Sequence, residues 1–317
     1  VLRRSEPDGI VMSAAVLMEG VHVLLGDVHA LAGVDLEVAP GTTLGVLGHN
    51  GAGKTTLIKT LTTLIRPDVG RVVIDGFDVV VDADLVRRRI GVTGQYAGLD
   101  DFLTGRENLE LVGRLSGLGI SASTRADDIV AALGLADIAD RRVGTLSGGS
   151  RRRIDIAASL IAEPSVLFLD EPTTGLDPAA RGALWDLVGD LTDRGTTVVL
   201  TTQYLKEADR LADHIVVLDH GQIAARGTPA ELKRLVGGKV VSATLPSQHL
   251  DRLSRQPDDT ESIAAARSRV SYSTPDAVVA AAVVAQLEHD GVAIDDLEVS
   301  SPTLDDVFTH LTTQGVS

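Results

Sequence analysis

Apolar residues in this chain fall into short runs broken by turn signals, and these runs alternate with longer stretches of helical spacing. Residues 43–47 (Thr-Leu-Gly-Val-Leu) form a nearly unbroken apolar run and predict a buried strand. Residues 55–65 follow with helical spacing, ended by Arg66-Pro67. Residues 14–23 and 31–38 are rich in β-formers, and residues 71–81 predict a hairpin turning at Asp75-Gly76. From 99 to 162 the pattern is helical, with Thr104 and Glu107 placed as a capping box. Residues 165–170 read as an apolar strand ending in acid. Residues 196–201 and 215–219 predict two more strands, the second turning at His220-Gly221. A second capping box, Thr228 with Glu231, has proline at the first helical position.

Gly237-Gly238 marks the predicted boundary. Beyond it, residues 239–245, 270–273 and 293–299 read as strands, residues 276–289 as an Ala/Val-rich helix, and Ser301-Pro302 as the start of a last helix. The predicted organisation is a loose tail over 1–12, a large α/β domain over 13–236 and a small α+β domain over 239–317.

Composition narrows the class. A formal net charge of -15 and 3% aromatic residues argue against broad nucleic-acid binding, because the cationic footprint and the stacking platforms are both scarce. With no cysteine there is neither a disulfide framework nor a thiolate metal site. No apolar stretch approaches the ~18–20 residues needed to span a bilayer, and no signal peptide is evident at the start. Work at a membrane would have to pass through a partner.

The chemistry begins at residues 48–55, Gly-His-Asn-Gly-Ala-Gly-Lys-Thr, which match the phosphate-loop pattern G-x-x-x-x-G-K-[ST]. Glycines let successive backbone N–H groups turn toward an anion. Lys54 brings a point charge to the β/γ-phosphates, and the Thr55 hydroxyl suits a Mg²⁺ ligand at a helix N-terminus. The next signal is the apolar run 166–169 closed by Asp170-Glu171. It places one carboxylate where Mg²⁺ can be held through its water shell, and a second able to orient or deprotonate water. Such runs are common, and this one gains meaning from its place after a phosphate loop. Ser147-Gly148-Gly149 reads either as an ordinary turn and cap or as a second anion-binding helix start. The triple arginine 151–153 can be a solvated face.

The phosphate loop, Gln95, Ser147-Gly148-Gly149, Asp170-Glu171, Gly175-Leu176-Asp177 and Thr201-Thr202-Gln203 stand in the order of an ABC ATPase. The chain resembles the nucleotide-binding subunit of an ABC transporter over residues 14–236. The resemblance implies a P-loop fold with a mixed sheet core, an antiparallel β subdomain and a helical subdomain. It implies ATP and Mg²⁺ as ligands, with nucleotide held by Gly48, His49, Asn50, Gly51, Ala52, Gly53, Lys54, Thr55 and Thr56. Mg²⁺ would be held by Thr55, Gln95 and Asp170. Catalytic roles fall on Glu171, Gln203 and Gln95. A head-to-tail dimer is implied, each ATP lying between one phosphate loop and the partner copy's Ser147, Gly148 and Gly149 segment, with Asp177 reaching across.

Residues 91–96, 201–209 and 301–308 are similar to the daunorubicin-resistance type of drug-exporter ATPase, which carries the same kind of C-terminal appendage. This implies a separate membrane permease, export of an antibiotic-like compound and a place on the cytoplasmic face of the membrane. Tyr96, Leu99 and Phe102 are candidates for lining the permease groove or for simple packing. Arg106 and Glu107 are read as structural.

Two positions depart from the family's pattern. Gln203 stands where histidine is usual; it can donate a hydrogen bond to a γ-phosphate but cannot titrate. Leu25 stands where an aromatic commonly stacks on adenine. The competing readings are a soluble ABC ATPase acting on RNA, DNA or ribosomes, and a poorly hydrolysing nucleotide-dependent regulator. The single phosphate loop and acidic composition argue against the first, and Glu171 against the second. A GTPase reading lacks an Asn-Lys-x-Asp motif.

Overall fold

The computed structural model describes residues 14–94, 98–236, 239–244, 261–266, 269–274, 285 and 296–308. The chain divides into two compact units, 1–224 and 225–317.

Two sheets organise the first unit. One is antiparallel, with strands β1 (Val16–Leu25), β2 (Val28–Val38), β4 (Val69–Ile74) and β5 (Phe77–Asp78) in the order β2-β1-β4-β5. The turn between β4 and β5 has positive φ at both central residues, Asp75 (50°) and Gly76 (83°), as a two-residue hairpin requires. The second sheet has the order β10-β9-β3-β8-β7-β6. Its strands are β3 (Thr43–Leu47), β6 (Ile90–Thr93), β7 (Val166–Asp170), β8 (Thr197–Thr202), β9 (His214–Asp219) and β10 (Gln222–Gly227). The pairs β3·β8, β3·β9, β7·β8 and β6·β7 are parallel, so these strands deliver their carboxyl ends to one edge of the sheet.

The helices of this unit are α1 (Lys54–Leu61), α2 (Ala83–Arg87), α3 (Gly105–Leu115), α4 (Ala122–Ala132), α5 (Ala136–Ala139), α6 (Gly148–Ser159), α7 (Pro178–Asp193) and α8 (Leu205–Leu211), with α3, α4 and α5 packed on one another. Helix α1 ends a turn earlier than the sequence predicts. Thr63 adopts φ 66°, and the Leu64 N–H reaches back to the Lys59 carbonyl at 2.8 Å, a Schellman-type stop made by threonine in the usual glycine place. The Thr104 cap on α3 has the predicted reciprocal bonds with Glu107.

The alternation of strand side chains separates two cores. On β7, Val166 and Phe168 join the cluster built with α1 and the antiparallel sheet. Leu167 and Leu169 join the cluster built with the helices. The next residue in the Val166, Phe168 series is Asp170, so the pleat turns that carboxylate toward α1.

The second unit contains α9 (Pro229–Arg234), opened by the capping box of Thr228 with Glu231. Its antiparallel sheet has the order β12-β13-β11-β14, from β11 (Lys239–Thr244), β12 (Glu261–Ala266), β13 (Arg269–Thr274) and β14 (Asp296–Ser300). Strand β12 was not foreseen, since its Ile-Ala-Ala-Ala stretch has little β propensity. A helical turn follows over 304–308, where Thr303 and Asp306 cap one another. The tail 1–12 and the helix expected over 276–289 lie outside the described residues, apart from position 285.

Candidate functional site

Every residue of β3 is buried, and the strand runs straight into the glycine loop before α1. Two of the loop's glycines are required by packing. A Cβ at Gly48 would lie 2.5 Å from the Leu218 carbonyl oxygen, and one at Gly53 would lie 2.5 Å from that of Ala30. Gly53 also holds φ 110°, the residue that starts α1. The loop is therefore wedged between β2 and β9, with α1 directed away from it.

Lys54 is 5% exposed. Its ammonium donates to the carbonyls of Gly48 (2.8 Å) and His49 (3.1 Å) and stands 3.6 Å from Glu171 Oε1. The Thr55 hydroxyl donates to Asp170 Oδ2 at 3.4 Å. Thr201, on β8 and in register with Asp170, organises both acids. Its hydroxyl donates to Asp170 Oδ1 at 2.6 Å and accepts from the Glu171 N–H at 3.0 Å. Glu171 itself holds φ 47°, an unfavourable value for a side-chain-bearing residue. A second bond from its N–H to the Thr201 carbonyl helps to fix it there.

A cavity of about 530 Å³ opens over this group, lined by Lys54, Thr55, Thr56 and Glu171 with Leu25, Val28 and His220. One buried cation, two carboxylates and a glycine cradle at a helix start suit a polyphosphate. The Thr55 hydroxyl and the Asp170 carboxylate are adjacent hard oxygen donors, which fits Mg²⁺. Leu25 and Val28 supply apolar contact where an aromatic ring was looked for.

Ser147 caps α6, its Oγ accepting from the Ser150 N–H at 3.2 Å. A Cβ at Gly148 would meet only Leu176 Cδ2, at an ordinary contact distance of 4.0 Å, whereas a Cβ at Gly149 would fall 2.5 Å from the Ala180 Cβ on α7. Asp177 is exposed and caps α7, accepting from the Ala180 N–H at 2.9 Å. Gln203 is exposed just beyond the end of β8. Gln95 and Tyr96 lie outside the described residues. Leu99 is buried and Phe102 is 84% exposed. Arg106 pairs with Asp140 at 2.7 Å and with Asp127, and Glu107 is engaged in its cap. The Thr104 backbone bond holds the Glu107 carboxyl below its usual range.

The arginine triplet is not a solvated face. Arg151 pairs with Asp101 at 2.8 Å, Arg153 donates to the Gly134 carbonyl, and Arg152 is buried. Arg152 donates to the carbonyls of Gly94 (2.5 Å) and Asp170 (3.3 Å), tying the ends of β6 and β7 to α6. Burial lowers its affinity for the proton and pushes the neighbouring Asp155 carboxyl up to about 6. Spacing could have found this pair, since Arg152, Asp155 and Ile156 share one face of α6.

Glu207 was also missed. It is fully buried on α8 and accepts from the Thr173 hydroxyl and the Trp185 N–H, each at 3.1 Å. Burial raises its carboxyl above the ordinary range. Its signal was weak, because Lys-Glu-Ala-Asp reads as an exposed helix.

Comparison with known proteins agrees with this geometry. The family model described as ABC transporter matches residues 31–174. A second, described as the C-terminal domain of DrrA1-3-like ATP-binding proteins, matches residues 227–312. The chain is 49% identical to the daunorubicin resistance ATP-binding protein DrrA3 of Streptomyces coeruleorubidus, over 94% of this chain and 96% of the relative. It is 41% identical to the doxorubicin resistance ATP-binding protein DrrA of Mycobacterium tuberculosis (strain ATCC 25618 / H37Rv), over 94% of each. Among solved structures it resembles cbiO1 of Clostridium perfringens, part of the ABC transporter complex cbiONQ. That match has a TM-score of 0.65 and 26% identity, covering 70% of this chain and 93% of that one. It also resembles the ATP-binding cassette MJ0796 in a dimeric post-hydrolysis state bound to ADP and Pi. Here the TM-score is 0.60 and the identity 28%, covering 67% of this chain and 98% of that one. Fold, site and relatives together place the chain in the ABC transporter family, as a nucleotide-binding, ATP-hydrolysing subunit of the daunorubicin-resistance type.

Proposed function

We propose that this chain powers export of an amphipathic, drug-like compound through a separate membrane permease, working as a head-to-tail pair on the cytoplasmic face of the membrane. The observation that carries the reading is the meeting of Lys54, Thr55, Asp170 and Glu171 at one edge of a parallel sheet, beneath the glycine loop. Relatives named for drug resistance support the cargo class. Among the described residues no helix is long and apolar enough to cross a membrane, which leaves the pathway to a partner.

In this reading the backbone of residues 48–56 cradles the phosphates and Lys54 neutralises them. Glu171 orients the attacking water and accepts its proton. Mg²⁺, held by Thr55, Asp170 and Gln95, supplies charge neutralisation on the phosphate oxygens when bound. Gln203 donates to the terminal phosphate. Ser147, Gly148 and Gly149 act on the ATP of the partner copy, with Asp177 at the contact. Phe102 and Tyr96 are proposed to face the permease. Residues 239–317 are an accessory domain following the nucleotide-binding domain 13–236.

The test is affinity capture of the tagged chain from detergent-solubilised native membranes. Recovery of a multi-spanning hydrophobic protein in roughly equal amount is expected. Recovery with soluble partners alone would overturn the transporter reading.

A further inference from the structure

His49, the second residue of the phosphate loop, turns its side chain to the β9–β10 hairpin. Its Nε2 lies 2.9 Å from Asp219 Oδ1, and its Nδ1 lies 2.7 Å from the Asn50 carbonyl oxygen. Both ring nitrogens thus face oxygens that can only accept. A neutral imidazole carries a single N–H and cannot donate to both. With that N–H on Nδ1, given to Asn50, the Nε2 lone pair points at a carboxylate oxygen. A metal ion held by both groups would satisfy that lone pair and the carboxylate together.

A further ligand stands beside them. His220 follows Asp219 in the two-residue turn, where His220 (φ 45°) and Gly221 (φ 75°) both take left-handed backbone. Its Nε2 is 3.8 Å from Asp219 Oδ1, and its ring sits edge-to-face with that of His49 at 5.5 Å between centroids. One ligand atom from each of the three residues lies within 4.8 Å of the other two. Ligands at ~2.0–2.2 Å from a tetrahedral zinc ion lie about 3.3–3.6 Å apart. Closing the set therefore takes a rotation of the His220 side chain, 86% exposed, together with a parting of His49 Nε2 from Asp219 Oδ1, now 2.9 Å apart, by about half an ångström.

We propose that His49, Asp219 and His220 form a binding site for a zinc-class divalent cation, separate from the Mg²⁺ ligands Thr55 and Asp170. Two imidazoles and one carboxylate select zinc, cobalt, nickel or copper over magnesium and calcium, which prefer all-oxygen shells. The Nδ1–H bond from His49 to a backbone carbonyl is the outer support that metal-bound histidines commonly have, fixing the tautomer with Nε2 toward the ion. Occupancy would pin the phosphate loop to the β9–β10 turn. Because His220 also lines the nucleotide cavity, the ion would sit at its rim.

The experiment uses the untagged full chain, freed of metal by chelation and titrated with Co²⁺ while visible absorption is followed, then with Zn²⁺ by calorimetry. One Co²⁺ per chain is expected, displaced by Zn²⁺. His220→Ala and Asp219→Asn should each weaken Zn²⁺ binding at least ~10-fold, about 1.4 kcal/mol. His214→Ala, at the other end of β9, should leave it unchanged. His220→Ala removes an exposed side chain, so its result stands even if Asp219→Asn fails to fold. Absence of stoichiometric binding would leave His49 and Asp219 as a hydrogen-bonded pair with no metal role. Binding untouched by His220→Ala would assign the ion to other histidines. Either result overturns the proposal and leaves the ATPase reading as it was.

Discussion

The Thr201 hydroxyl donates to the Asp170 carboxylate at 2.6 Å while accepting from the backbone N–H of Glu171, so one side chain on β8 sets both acids at the end of β7. Thr201→Val should leave a buried carboxylate short of a donor and destabilise the fold by about 1.5–3 kcal/mol. Turnover should fall as well, and Thr201→Ser should restore both. Chemical denaturation and steady-state ATPase assays read the two effects. Valine behaving like threonine would remove Thr201 from this role.

Glu171→Gln should still bind ATP but hydrolyse it at least ~10²-fold more slowly, the scale for loss of a general base. Lys54→Ala should lose phosphate binding. Fluorescent-nucleotide titration and single-turnover assays separate the cases. Near-normal turnover in Glu171→Gln would show that another group takes the proton.

Gln203→His tests the departure at the end of β8. Increased turnover would identify the native glutamine as a brake, and the added titrating group should then bring a new pH dependence near neutrality. The expected outcome is unchanged turnover, with the hydrogen bond to the phosphate sufficing. A large loss would contradict it.

The two glycines at the start of α6 should differ. Gly149→Ala drives a methyl into Ala180 and should destabilise by about 1–3 kcal/mol, whereas the methyl of Gly148→Ala makes only an ordinary 4.0 Å contact with Leu176 and should be well tolerated. Thermal melts of the two variants compare them directly, and equal midpoints would refute the packing argument.

Asp155 gives a pH signature. Its folded carboxyl titrates at about 6, against an unfolded value of 3.8. Between these the folded chain binds more protons than the unfolded one, so stability falls as pH rises. The contribution is fully present below about pH 4 and lost through about pH 6. Relative to Asp155→Asn, the native chain should lose on the order of 3 kcal/mol from pH 4 to pH 7, from two pKa units. Urea midpoints across that range measure it, and a constant difference between the two proteins would rule it out.

Local signals made most of this legible. Glycine spacing, the Thr104–Glu107 capping box and the apolar runs at 43–47 and 166–169 sufficed to anticipate the large unit, because each reflects a constraint acting within a few residues. The Arg152 contacts with Gly94 and Asp170 were hidden because they join segments 58 and 18 residues apart. Glu207 was hidden because its partners come from β7's following loop and from α7. Strand β12 was hidden because a strand of alanines is decided by its neighbours.

Glu171 holds φ 47° where a glycine would sit without strain. Selection for hydrolysis and selection for a robust fold therefore act in opposite directions on this one residue. A descendant freed from hydrolysing ATP would relieve this strain only by exchanging the whole side chain for glycine, not by neutralising the carboxylate.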